Sequence, residues 1–174
     1  MGQLELRLAL EASVREAQSR HHEYVTPEHL LYALLYEPEA RRVLRGCGAD
    51  LDELRDELEG YFERDLPLLP KDEEANPKQS LGFQRVLERA VLHVQSAGKP
   101  ELDGGDVLVS LRSEDESFAS WLLEQQGIER LDLVEFISHG VGRGEEEDEE
   151  EDGEDEEGGA PLRRPLRAEA EIGR

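Results

Sequence analysis

Residues 83–96 read FQRVLERAVLHVQS, and residues 6–19 read LRLALEASVREAQS. At an offset of about 77 their apolar faces coincide. Leu6 falls on Phe83, Leu10 on Leu87, Ser13 on Ala90, Val14 on Val91 and Ala17 on Val94, while Gln18-Ser19 falls on Gln95-Ser96. Apolar residues three to four apart mark a helix with one face turned inward. The match runs on without a gap for about 30 residues. Val25 falls on Leu102, Thr26 on Asp103, Leu31 on Leu108 and Leu34 on Leu111. Thr and Asp are both good helix N-caps, so the start signals coincide as well as the faces. Beyond this, with a gap or two, Gly48 matches Gly127 and Leu54 matches Val134.

Working outward, Thr26-Pro27 reads as an N-cap with proline at the first helical position, and the helix turns Leu30, Leu31, Leu34 and Leu35 inward. Pro38 opens a short helix that stops at Gly46 or Gly48. Asp50 and Glu53 form a capping box ahead of Leu51, Leu54, Leu58 and Phe62 at helical spacing. Residues 1–64 thus give four helices and no strand. The proline-rich stretch DLPLLPKDEEANPKQS, 65–80, reads as a linker that grows mobile toward its charged centre. Ser80 caps the next helix, which carries Phe83, Leu87, Ala90, Val91 and Val94.

The expected fold is all-α: two tandem four-helix repeats, about 1–64 and 80–140, packed about a pseudo-twofold axis as one domain over 1–140. Leu31, Leu34, Leu108 and Leu111 are expected in its core. Residues 141–174 form a tail. Within it 145–157 is carboxylate at every position but Gly153, and such a run repels itself and stays extended.

Charge limits the partners. The chain carries −23, from 43 acidic and 20 basic residues, and residues 1–144 alone hold about −13. Nucleic acid and anionic membrane surfaces both require a basic face. No apolar run approaches the roughly 18–20 residues that span a bilayer, and the N-terminus lacks the pattern of a secretion signal. Cys47 is the sole cysteine, which excludes a disulfide framework. These features suit the cytoplasm.

Catalytic motifs are missing. There is no G-x-x-x-x-G-K-[ST] loop, so no ATP hydrolysis and no bound cofactor are expected. Cys47 lies near Arg41, Arg42 and Arg45 but reads as a small packing residue.

HHEYVTPEHLLYALL, 21–35, gathers His21, His22, Glu23, Glu28 and His29. His29 reads as a packing or hydrogen-bonding residue, while His21, His22 and Glu23 read as an exposed loop. His22, Glu23 and Glu28 are the metal candidates. A structural zinc site takes about four ligands, and with no second cysteine any site here would be weak and open. A partner surface is the preferred reading.

That same stretch, together with FQRVLERAVLHVQSAG (83–98) and RLDLVEFISHG (130–140), resembles the N-terminal domain of the Clp family of ATP-driven protein unfoldases. The resemblance covers about residues 3–140 and is strongest to the ClpA branch. It implies an all-α double-repeat domain that docks substrates and adaptors. The adaptor it implies is of the ClpS type, which delivers substrates with destabilising N-terminal residues. ClpP protease would be reached only through ATPase modules that this sequence does not contain. The alternatives are a free-standing domain that competes for the adaptor and a weak metal-binding regulatory domain.

The resemblance puts the corner between the first two helices near the adaptor face. Glu23, Glu28, Ser80, Arg85 and Arg89 are accordingly expected on one partner-binding surface. Arg85 and Arg89 are four apart and share a helix face, so both can donate charge-assisted hydrogen bonds to partner carboxylates. The competing expectation is that they pair within the domain, with Glu88 or with carboxylates of the first helix. Leu81 and Phe83 offer apolar contact there, though Phe83 reads first as a core residue.

Overall fold

A computed structural model of the protein describes residues 2–140, so the expected acidic tail at 141–174 lies outside the described residues. Eight helices are present among them. In the first half these are α1 (Gly2–Ser19), α2 (Pro27–Leu34), α3 (Pro38–Gly46) and α4 (Leu51–Arg64). The second half repeats the order with α5 (Leu81–Ala97), α6 (Gly104–Arg112), α7 (Phe118–Gln125) and α8 (Arg130–His139). Asp50 accepts the Glu53 amide hydrogen at 3.1 Å and Ser80 that of Phe83 at 3.1 Å, as their start signals imply, but the expected capping box is only half made: the Asp50 amide donates to Gln126 Oε1 at 2.8 Å rather than to Glu53.

The two halves interlock. Helices α2 and α6 are buried along almost their whole length and touch each other at the centre. Each outer long helix covers the central helix of its own half, α1 on α2 and α5 on α6. The short third helices cross over: α3 packs on α6 and α8, and α7 packs on α2 and α4. These reciprocal pairs are what a pseudo-twofold axis produces. One continuous apolar core results, with Leu31, Leu34, Leu108 and Leu111 fully buried.

Close approach is achieved with glycine. A Cβ on Gly104, in the first turn of α6, would run into the Glu37 carboxylate that caps α3. A Cβ on Gly46, in the last turn of α3, would run into the Phe136 ring of α8. Both contacts join one half to the other.

Three local expectations are corrected. The inward face of α5 is Phe83, Val86, Ala90 and Val94, while Val91 is exposed. The first half does contain a strand, of two residues: β1 (Tyr24–Val25) pairs in parallel with β2 (Lys78–Gln79). The 65–80 segment is also tied at both ends. Glu23 donates its amide hydrogen to the Pro67 carbonyl at 2.9 Å, Leu69 to that of His21 at 2.8 Å, and Lys78 to that of Glu23 at 3.0 Å. Backbone hydrogen bonds and the His21 ring hold most of this segment, with Leu66 alone of its apolar side chains packed on the core, so it left no periodic signal.

Candidate docking site

The β1–β2 ribbon sets Val25 beside Gln79, and the Ser80 amide donates to the Val25 carbonyl at 3.0 Å. The starts of α2 and α5 are thereby drawn together, and the start of α7 packs against them. The N-caps of the three helices, Thr26, Ser80 and Ser117, meet around one cleft of about 290 Å³. Pro27, Gly82 and the stacked rings of Tyr61 and Phe118, centroids 4.4 Å apart, supply its apolar walls. Arg85, Glu114 and Glu116 supply charge.

Of the five residues expected on a partner surface, Glu28, Ser80 and Arg85 line this cleft. Glu23 is not among the lining residues; it is half-buried and leads into the ribbon, bonded through its backbone to Pro67 and Lys78. Arg89 sits one helical turn beyond, in a separate groove with His93 and Arg130.

Their environments differ from expectation. Glu28 is only 3% exposed, and its carboxylate accepts the Ala119 amide hydrogen at 2.9 Å. It is a buried bridge between two helix starts, not a surface charge. Burial, only partly offset by these backbone donors, raises its pKa.

Arg85 donates from Nε and Nη2 to Glu114 Oε2, at 3.0 and 2.5 Å. Arg89 donates to Glu114 Oε1 at 2.8 Å and to the Ser110 carbonyl at 2.9 Å. Both arginines do pair within the domain, but with Glu114 of the α6–α7 loop rather than with Glu88 or α1. Burial alone would raise the Glu114 pKa; the two guanidinium groups outweigh that and lower it, so the carboxylate stays charged. Phe83 belongs to the core, while Leu81 is exposed beside the cleft.

The metal candidates do not converge. His22 is buried, contrary to the expected exposed loop. Its Nε2 lies 3.0 Å from the Phe62 carbonyl, and its Nδ1 lies 2.8 Å from His29 Nε2. His29 Nδ1 in turn accepts the Thr26 amide hydrogen at 2.9 Å. A single arrangement satisfies the whole chain of bonds: Thr26 N–H to His29, His29 Nε2–H to His22, His22 Nε2–H to Phe62. Both imidazoles must be neutral for it. Burial accordingly lowers the pKa of His22 and pushes that of His29 down to about 3. Glu28 points away toward α7, and among the described residues no group of three His, Cys, Asp or Glu side chains is set to hold a metal ion.

The family described as the Clp repeat N-terminal domain matches residues 4–126. The chain belongs to this family. A ClpA homolog protein of Fuscovulum blasticum is 42% identical over 139 residues, covering 79% of this chain and 18% of the relative. The chaperone protein ClpB of Chlamydia trachomatis serovar D is 32% identical over 116 residues, covering 65% of this chain and 13% of the relative. The chain thus spans less than a fifth of the length of these Clp relatives. Among solved structures, the N-domain of ClpV from Vibrio cholerae aligns with a TM-score of 0.62 at 26% identity, over 76% of this chain and 80% of that one. A ClpV N-domain in complex with a VipB peptide has the same fold, at 24% identity and a TM-score of 0.61 over 77% and 82% of the two chains.

Sequence reasoning missed Glu114, Ser117, Phe118, Tyr61 and Gly82. Glu114 lies in RSEDES, which reads as a solvated loop. The one local signal was Ser117, a serine directly before an apolar run.

Proposed function

We propose that this Clp N-terminal domain docks protein partners for a ClpA-like unfoldase, and that its first partner is a ClpS-type adaptor carrying substrates with destabilising N-terminal residues. Residues 1–140 are the docking unit, and 141–174 the tether to modules beyond. The domain itself performs no catalysis, and its setting is the cytoplasm. Unfolded or tagged proteins are reached through the adaptor, and ClpP through the ATPase modules.

The observation that carries this reading is the cleft at the three N-caps. Residues picked from the sequence at 28, 80 and 85 come from both halves of the chain and meet there. Its mixture of apolar walls, hydroxyl caps and an exposed arginine is the composition of a protein-docking surface, where charge sets orientation more than affinity. The net negative charge disfavours nucleic acid, and no helix among the described residues is long and apolar enough to cross a membrane.

Surface plasmon resonance with immobilised ClpS-type adaptor tests it. The parent chain should bind, and Arg85→Glu should weaken binding about tenfold or more, a change of about 1.4 kcal/mol. Arg7→Glu, on α1 and away from the cleft, should bind like the parent. Equal affinity of all three chains would place docking elsewhere.

A further inference from the structure

Arg85 has an unusual combination of freedom and restraint. Its side chain is 55% exposed, yet Nε and Nη2 both donate to one oxygen of Glu114, whose side chain is 8% exposed. The other Glu114 oxygen is held by Arg89, and Arg89 is itself fixed to the Ser110 carbonyl at 2.9 Å. The Ser110 hydroxyl donates to the Val86 carbonyl at 2.7 Å, which closes the network back onto α5. Glu114 is therefore braced from behind and grips one edge of the Arg85 fork.

A guanidinium has five N–H donors in a rigid plane. Glu114 takes the Nε–Nη2 edge, which leaves the Nη1–Nη2 edge without a bond to it, on a side chain that lines the cleft and is 55% exposed. That edge matches a carboxylate in the bidentate geometry arginine favours. A free arginine at such a site would lose rotamer entropy on binding. Here Glu114 has already removed that freedom.

We infer that Glu114 is the positioning residue of the docking site: it pre-sets Arg85 so that the free edge of its guanidinium receives a carboxylate of the partner. The inference rests on the docking role of the cleft. Glu114 contributes through Arg85 and does not touch the partner. Glu116, also lining the cleft, limits the site to a partner that presents its carboxylate toward Arg85 and keeps other acidic groups away.

A double-mutant cycle tests this with the full chain and a ClpS-type adaptor. Four proteins are compared: the parent, Arg85→Ala, Glu114→Gln, and the double variant. Affinity is read by surface plasmon resonance, the melting temperature alongside it, and the Arg85 Nε–H signal by 15N NMR. Glu114→Gln should weaken binding about threefold to tenfold in the parent background, in line with the entropy of one ordered side chain. It should change nothing further once Arg85 is alanine, because coupled residues are non-additive. The sharp Nε–H signal of Arg85 should broaden in Glu114→Gln.

Equal weakening by Glu114→Gln in both backgrounds would mean a general structural role and overturn the inference. So would weakening by Arg85→Ala with none from Glu114→Gln. Should Glu114→Gln fail to fold, Glu114→Asp keeps the charge on a shorter stem, and the same cycle applies. A parent that does not bind the adaptor sinks the docking role itself. The Nε–H signal still decides whether Glu114 holds Arg85.

Discussion

Glu28 on α2 accepts the amide hydrogen of Ala119 on α7 at 2.9 Å, joining two helix starts 91 positions apart in the chain. Removing the acceptor leaves a buried N–H without a partner, which costs about 1–3 kcal/mol. Glu28→Ala should lose that much stability in urea unfolding. Glu28→Gln keeps an acceptor oxygen and should lose less than half of it. Glu28→Arg, which puts an unpaired charge at two helix N-termini, should not fold. A stable, well-folded Glu28→Arg would argue against the bridge.

The same contact marks the boundary of what the sequence reveals. Leu31, Leu34, Leu108 and Leu111 are legible as core because burial imposes a helical period, and the repeat makes each half a check on the other. The charged residues carry no such period. Glu28 looks like a surface charge until Ala119 is known to lie over it. His22 looks like a loop residue until Phe62 and His29 close around it. Arg85 and Arg89 are visible as a pair on one face, but their partner is 29 and 25 residues away. The period alone turns Val91 inward, whereas α6 packs on the side of α5 that carries Val86 and Ala90. The two-residue ribbon is too short to leave any alternation.

Leu34 is fully buried on the most enclosed helix of the first half. Leu34→Ala should cost about 2–5 kcal/mol, the range for truncating a core leucine. Urea unfolding monitored by circular dichroism measures it. A loss under about 0.5 kcal/mol would mean that the site collapses around the smaller side chain and contributes little to the core.

Gly104 and Gly46 should be the two glycines least tolerant of alanine. A methyl group at Gly104 displaces the Glu37 carboxylate, which accepts the Ala40 amide hydrogen at 2.7 Å as the cap of α3. A methyl group at Gly46 displaces Phe136. In an open helix Gly→Ala stabilises by up to about 1 kcal/mol. Here each should instead destabilise by about 1–3 kcal/mol, the cost of overpacking. A raised melting temperature for either variant would show that its neighbour yields freely.

The buried histidine pair should make the protein weaker in acid. In the unfolded chain a histidine takes up its proton near pH 6.5, whereas burial first, and then the charges of His22 and Arg20, hold His29 down to about 3. Between those values the unfolded state binds more protons, so stability falls as pH falls. The contribution is fully present above about pH 6.5 and exhausted near pH 3. Between pH 6.5 and 5 it amounts to about 2 kcal/mol for His29. Glu114, with its lowered pKa, acts in the same sense, but only below its ordinary value near 4.5. Glu28, whose pKa is raised, acts in the opposite sense: its share is present below 4.5 and lost as pH rises. Urea midpoints at pH 7.5, 6 and 5 should decline for the parent and stay flatter for His29→Phe. Parallel declines in the two proteins would exclude the histidine pair as the cause.

Because the cleft draws its walls from positions 26–28, 61, 80–85 and 114–118, it has an order of birth. A ribosome delivers the α2 edge first, then the Arg85 side, and the Phe118 wall last. A nascent chain that has emerged only through its first repeat owns the apolar surfaces of that repeat but no cleft. The cleft therefore comes into being only once position 118 has left the ribosome, and a chain halted after its first repeat presents only part of one wall.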